Sequence, residues 1–182
     1  MAGPTPGTQE WLDQVDEPIL DPERPIIDPH HHLWQRGGFD YVLADLWADT
    51  ESGHNIEKTV FVECGASYRE SGPEHMRPLG ETGFVVAIAE DSAKGDGAEI
   101  AGIVARADLR LGDSVEEVLS AHEEAGHGRF RGIRHSAAHA THRDALSIPG
   151  RAPAGLYADK NFRNGVKALG QLGYSFDAWH YH

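Results

Sequence analysis

The sequence predicts an α/β fold, a partial (β/α)8 barrel of about its first five strands with crossover helices. Three observations predict it. Short β-branched runs alternate with segments of helical period, the pattern of parallel strands joined by helices. The first run ends in His30-His31-His32, where an open doubly wound sheet would usually carry a glycine-rich phosphate turn. The chain has 182 residues, enough for one domain with a core and short of the ~250 of a whole barrel.

Residues 1–25 carry five prolines and no period, and read as an irregular leader before a domain over 26–182. The first strand starts at Pro25-Ile26-Ile27-Asp28 and places the histidines at its C-terminal end. Phe39 to Trp47 reads as a short helix or an ordered aromatic loop. Lys58 to Glu63, β-branched and aromatic and bounded by Gly65, is the second strand. Gly72 to Ala93 has helical spacing, with a break expected near Gly80 or Gly83. Ile100 to Ala107 is the third strand. Asp113 to Ala125 is a helix with Ser114 as its cap, Glu116 and Glu117 in its first turn and Gly126 at its end. Arg129 to His135 is the fourth strand, followed by a long polar loop to Tyr157. Asp159 caps a helix that stops at Gly173, and Tyr174 to Tyr181 is the fifth strand.

Composition excludes several partners. The net charge of −13 repels nucleic acid and anionic membranes. Phe84 to Ala89, the longest apolar stretch, is far too short to span a bilayer, and the N-terminus lacks the basic-then-apolar pattern of a secretory signal. One cysteine, Cys64, forms no intrachain disulfide and fits a reducing cytoplasm. A small-molecule substrate remains the expected partner.

The chemistry concentrates in Asp28-Pro29-His30-His31-His32-Leu33-Trp34. Side chains alternate along a strand, so Asp28, His30 and His32 share one face. Two imidazoles spaced this way suit zinc or a similar divalent metal, and barrel enzymes keep their reacting groups at the C-terminal strand ends. The competing interpretation is a surface histidine cluster at a polar strand end.

Ile27 to Trp34 resembles the opening Asp-x-His-x-His-Leu-Trp of the amidohydrolase-related family, the predicted metal-dependent TIM-barrel hydrolases that include sugar lactonases and pyrone-dicarboxylate lactonase. Gly80-Glu81-Thr82-Gly83-Phe84-Val85, Ala101 to Val104 with Ala107 to Leu109, Phe130 to His135, and Phe162 through Trp179 resemble later elements of that family in the same order. The resemblance implies an eight-stranded barrel with its site over the strand ends. It implies that His30 and His32 are metal or substrate ligands, that His182 (or His180, on the same face) adds a group from the fifth strand, and that an eighth-strand aspartate acts as base or ligand. The chain stops at His182 and has no eighth strand, so it is expected to be the N-terminal part of such a barrel.

Glu63, at the end of the second strand, reads either as a catalytic group or as half of a barrel-end ion pair. Arg134 is the favoured arginine for holding a substrate; Arg106, Arg131 and His135 also lie near strand ends. Cys64 reads as a small buried side chain, His139 and His142 as loop residues, and the acids at 116, 117, 123 and 124 as a solvated helix face. The resemblance implies hydrolysis of a lactone or other cyclic ester or amide by activated water. A divalent metal, or histidine and arginine donors without one, would stabilise the oxyanion. Two alternatives stand beside it: a truncated, non-catalytic half barrel that binds metal or associates with a partner, self-association through its exposed edges included, and a metal-dependent decarboxylase.

Overall fold

The β-branched and aromatic runs become strands in the computed structural model of the chain, which describes residues 3–15, 17–146, 148 and 150–181. Ile26–His31 (β1), Ile56–Val62 (β2), Glu99–Ala105 (β3), Phe130–Arg134 (β4) and Ser175–Asp177 (β5) form one sheet in the order β1-β2-β3-β4-β5. Every pairing is parallel. The sheet curls into a half barrel with helices between the strands. Because all strands run the same way, their C-terminal ends, and the residues just beyond them, gather on one rim.

The helices are Gln9–Leu12 (α1), Leu43–Thr50 (α2), Leu79–Ser92 (α3), Val115–Ala125 (α4) and Lys160–Gln171 (α5). α1 is one turn inside the segment expected to be irregular, and Thr8 caps it by accepting the Trp11 N–H. Between β1 and α2, Trp34 and Tyr41 exchange backbone hydrogen bonds of 3.0 Å and stack their rings 5.4 Å apart. That pairing delays the helix to Leu43, where the Asp45 carboxylate accepts the Val42 N–H.

α3 starts at Leu79 rather than Gly72, since Pro73 and Pro78 suit a turn and a helix entry but not a helix interior. It runs unbroken through Gly80 and Gly83. Gly80 is there for close approach: a Cβ on it would stand 2.4 Å from the Ser67 carbonyl oxygen and 2.7 Å from the Arg69 nitrogen. Ser114 makes no side-chain cap, because the chain already enters α4 in a 3-10 turn over Leu109–Ser114. Asp108 caps that turn instead, accepting the Arg110 N–H at 3.0 Å. Asp159 caps α5 through the Phe162 N–H, and Gly173 follows its end at φ 82°.

β2 begins two residues before the expected Lys58, since Ile56 already pairs with Ile26. β3 ends at Ala105, not Ala107, which frees Arg106 for the rim. β5 stops at Asp177, well short of Tyr181. Its partner β4 ends at Arg134, opposite Asp177, so no strand backbone remains to pair with. Beyond that point the Trp179 carbonyl accepts the Ala137 N–H.

One face of the sheet meets the helices. Phe61, Ile103 and Ile133 pack with Val85 and Ala89 of α3, Val118 and Leu119 of α4, and Phe162 and Leu169 of α5. Each such side chain contributes roughly 1.5–3 kcal/mol by leaving water. No helix among the described residues is long and apolar enough to cross a membrane.

His122 of α4 is fully buried in this layer. Its Nε2 lies 3.1 Å from the Arg106 carbonyl, which can only accept, so Nε2 carries the proton and Nδ1 accepts from Thr82 Oγ1 at 2.9 Å. Burial lowers its pKa from 6.5 to about 4. An unfolded chain takes up the proton that folded His122 refuses, so stability is complete above pH 6.5 and falls as the pH drops toward 4. His135, lowered to about 3 mainly by burial, adds the same sign. Glu81, raised by burial from 4.5 to about 7, has the opposite one, because its contribution is lost as pH rises through that range. His31, lowered to about 4, and His32, also lowered, act in the same direction, so four histidines against one acid leave a net loss on acidification. Urea unfolding is expected to give a lower midpoint at pH 5 than at pH 7, and the difference should shrink in His122→Asn; an unchanged difference would remove His122 as its source.

Candidate functional site

β1 ends in a local irregularity that sorts its three histidines. The Asp28 carboxylate accepts the His30 N–H at 3.0 Å, and the register against β2 slips between Asp28 and His31. His31 turns into the core, 7% exposed, where Nε2 meets Thr59 Oγ1 at 3.1 Å and the ring sits edge-on to Phe61. Burial lowers its pKa to about 4. His30 stays exposed and His32 half-buried, and their Nε2 atoms stand 3.3 Å apart.

The protonation of His32 follows from its neighbour. Nδ1 lies 2.7 Å from the Val62 carbonyl oxygen and must donate to it. Neutral His32 therefore offers a lone pair at Nε2. Burial, then the Arg134 guanidinium, lowers its pKa and keeps it neutral. A carbonyl fixing the second nitrogen in this way is the usual support of a metal-bound imidazole. Two nitrogens bound 2.0–2.1 Å from one tetrahedral ion lie roughly 3.3–3.4 Å apart, which matches the His30–His32 separation. The pair thus fits two positions around a divalent ion. Among the described residues no group of three or more histidine, cysteine, aspartate or glutamate side chains converges to complete such a set.

Arg134, the last residue of β4, reaches across the rim. Its Nε donates to Glu63 Oε1 at 2.9 Å, Nη2 donates to the Glu63 backbone carbonyl, and Nη1 stands 3.5 Å from His30 Nε2. Both side chains of the ion pair are only 14% exposed. Glu63 therefore orients Arg134. The chain thus brings His30, His32, Glu63 and Arg134 together from β1, from the residue after β2 and from β4.

The other expected residues fall elsewhere. His182 lies outside the described residues. His180 is on no strand; its Nδ1 donates to the Tyr181 carbonyl and its ring meets Tyr157 edge-on at 5.6 Å, away from the histidine pair. Arg131 spends its guanidinium on the carbonyls of Gly128, Phe130 and Ala101. His139 donates to the Ala152 carbonyl in the loop. The Cys64 thiol donates to the Leu33 carbonyl, and burial raises its pKa to about 11, so it is no nucleophile at neutral pH. Glu81 is the residue that sequence reasoning missed. It is 2% exposed and accepts the N–H groups of Cys64 and Ala66 at 3.1 and 2.6 Å, setting the loop that follows Glu63. In the sequence it stands only as part of the Gly80-Glu81-Thr82 element, inside a helix expected to start at Gly72.

Compared with protein-family models, with curated proteins and with solved structures, the chain matches none.

The buried pair carries a stability consequence. Arg134→Met leaves the Glu63 carboxylate unpaired and is expected to cost about 3 kcal/mol in unfolding free energy. Glu63→Gln/Arg134→Met should recover much of that loss, and equal destabilisation of the single and double variants would show that the ion pair is not the cause. In the same Arg134→Met protein the His32 pKa should rise, as an NMR titration of the imidazole protons would record.

Proposed function

We propose that this chain carries the first-strand part of a hydrolase site of the amidohydrolase-related type. The reaction is attack of water on the carbonyl of a lactone or another small cyclic ester or amide. The observation that carries the reading is the His30–His32 pair, with Nε2 atoms 3.3 Å apart and His32 oriented by the Val62 carbonyl, beside the Arg134–Glu63 pair. The motif resemblance at Ile27 to Trp34 supports it independently.

His30 and His32 would hold the divalent ion through Nε2. A bound ion of this kind supplies Lewis-acid polarisation and lowers the pKa of water. Arg134, kept in place by Glu63, donates to the oxygen on which negative charge develops. Without a metal the two histidines divide the work. His32 Nε2 has only a lone pair and takes the proton of the attacking water. His30 Nε2, facing the Arg134 Nη1 donor at 3.5 Å, helps to orient that guanidinium, and Arg134 is the donor to the developing oxyanion. Decarboxylation of a small acid at the same residues is the neighbouring chemistry.

The test is zinc titration and lactone turnover by the chain and by His30→Ala/His32→Ala. About one ion bound by the first protein and none by the second is expected, with turnover lost in the variant. Turnover that survives both substitutions would sink the assignment. In the metal-free case the acid limb of the rate profile should lie below pH 6.5, the ordinary value from which His32 is lowered.

A non-catalytic, self-associating half barrel is the second reading. It is supported by the two sheet edges, β1 and β5, and by Ile27 on β1, 63% exposed. Sedimentation velocity should then show concentration-dependent dimers; a monomer at high concentration counts against it.

A further inference from the structure

Positive charge collects at one place on the rim of this acidic chain. Arg106 follows β3, His135 follows β4, and the loop after β4 brings Arg151 to them through the backbone pairing of His139 with Arg151. Together with Arg110 they line an open cleft of about 400 Å³. A protein of net charge −13 repels anions at long range, so a local cluster of guanidinium groups marks a deliberate exception.

The Arg106 and Arg151 donors are held but not consumed, whereas Arg110 gives its Nε and Nη2 to Asp108. Arg106 is half-buried, and the one hydrogen bond of its guanidinium among the described residues is a long 3.4 Å contact to the Ala107 carbonyl. No carboxylate among the described residues pairs with Arg106 or Arg151. Arg110 is braced by Asp108 through three side-chain contacts of 2.6–3.2 Å. His135 is 4% exposed, and its Nδ1 accepts the Leu109 N–H at 3.2 Å. The proton therefore sits on Nε2, which has no hydrogen-bond partner among the described residues. Gly165 of α5 allows this arrangement, since a Cβ there would stand 2.2 Å from the Leu109 carbonyl and push the loop away. A second hollow shares Arg106 and Arg110 and adds Arg77 and His75, but Glu74 and Asp108 line it too, whereas no carboxylate lines the cleft on the Arg151 side.

We propose that the cleft of Arg106, Arg110, His135 and Arg151 binds the oxyanion group, a carboxylate or a phosphate, of a small molecule. Guanidinium forks meet two oxygens of such a group at once, and a neutral imidazole N–H adds a donor. The inference goes beyond the hydrolase reading and does not depend on it.

Calorimetric titration of the full chain at low ionic strength with inorganic phosphate, and separately with succinate, tests it. Saturable binding of at least one anion is expected, weakened tenfold or more in Arg106→Gln and in Arg151→Gln. Phosphate alone saturating assigns a phosphate group, and succinate alone assigns a carboxylate. His30→Ala/His32→Ala should bind the anion unchanged, so this result and the hydrolase result fail separately. Arg151 is exposed and has no carboxylate partner among the described residues, so its variant keeps the test sound if Arg106→Gln unfolds. The proposal is overturned if neither anion saturates, or if the folded arginine variant binds as tightly as the parent chain.

Discussion

Arg134 depends on a curvature that no local segment supplies. It sits at the end of β4, yet its guanidinium meets Glu63, just past β2, and approaches His30 on β1. In a flat sheet with strands about 4.8 Å apart, a residue on the fourth strand and one on the first would be separated by roughly 14 Å. The curl of the parallel sheet shortens that path. The strand ends then share one rim, and one long side chain can span them. The helices on the other face, packed through Phe61, Ile103 and Ile133, keep the sheet in that shape.

The histidines divide for a local reason. Alternation along β1 places His30 and His32 together and sends His31 to the core. The bulge made by the Asp28 carboxylate shifts the register just before them. The Val62 carbonyl, one strand over, then decides the His32 tautomer. Each step is ordinary backbone chemistry. Their combination sets the His32 lone pair 3.3 Å from a second imidazole, His30, which in turn stands 3.5 Å from a guanidinium.

Buried polar groups shape the rim from behind. Glu81 draws in the N–H groups of Cys64 and Ala66, which sets the loop next to Glu63. His122 ties α4 to the Arg106 carbonyl, and His135 ties the end of β4 to Leu109. All three have pKa values displaced by burial, so the packing that shapes the rim also makes the fold sensitive to pH. Net charge hides this organisation, because the guanidinium groups of Arg106 and Arg151 gather locally on a chain that is acidic overall.

Much of the fold was legible in the sequence, because strand and helix periods are local. The five strands, their order and the α/β class follow from alternating runs, and Asp159 and Gly173 mark their helix ends by their own chemistry. The His30–His32 pairing was legible for the same reason, since period-two spacing is a property of one strand. Boundaries set by a partner were not. β5 stops where β4 runs out, Ser114 loses its cap to a preceding turn, and Gly80 serves packing against the loop after β2 rather than a helix break. The sequence around Glu63 leaves two roles open, because its partner Arg134 lies 71 residues away. The sequence by itself determined which residue types lie at the strand ends. Only the tertiary structure decided which of them meet, because a contact between distant strands depends on the curl and register of the whole sheet.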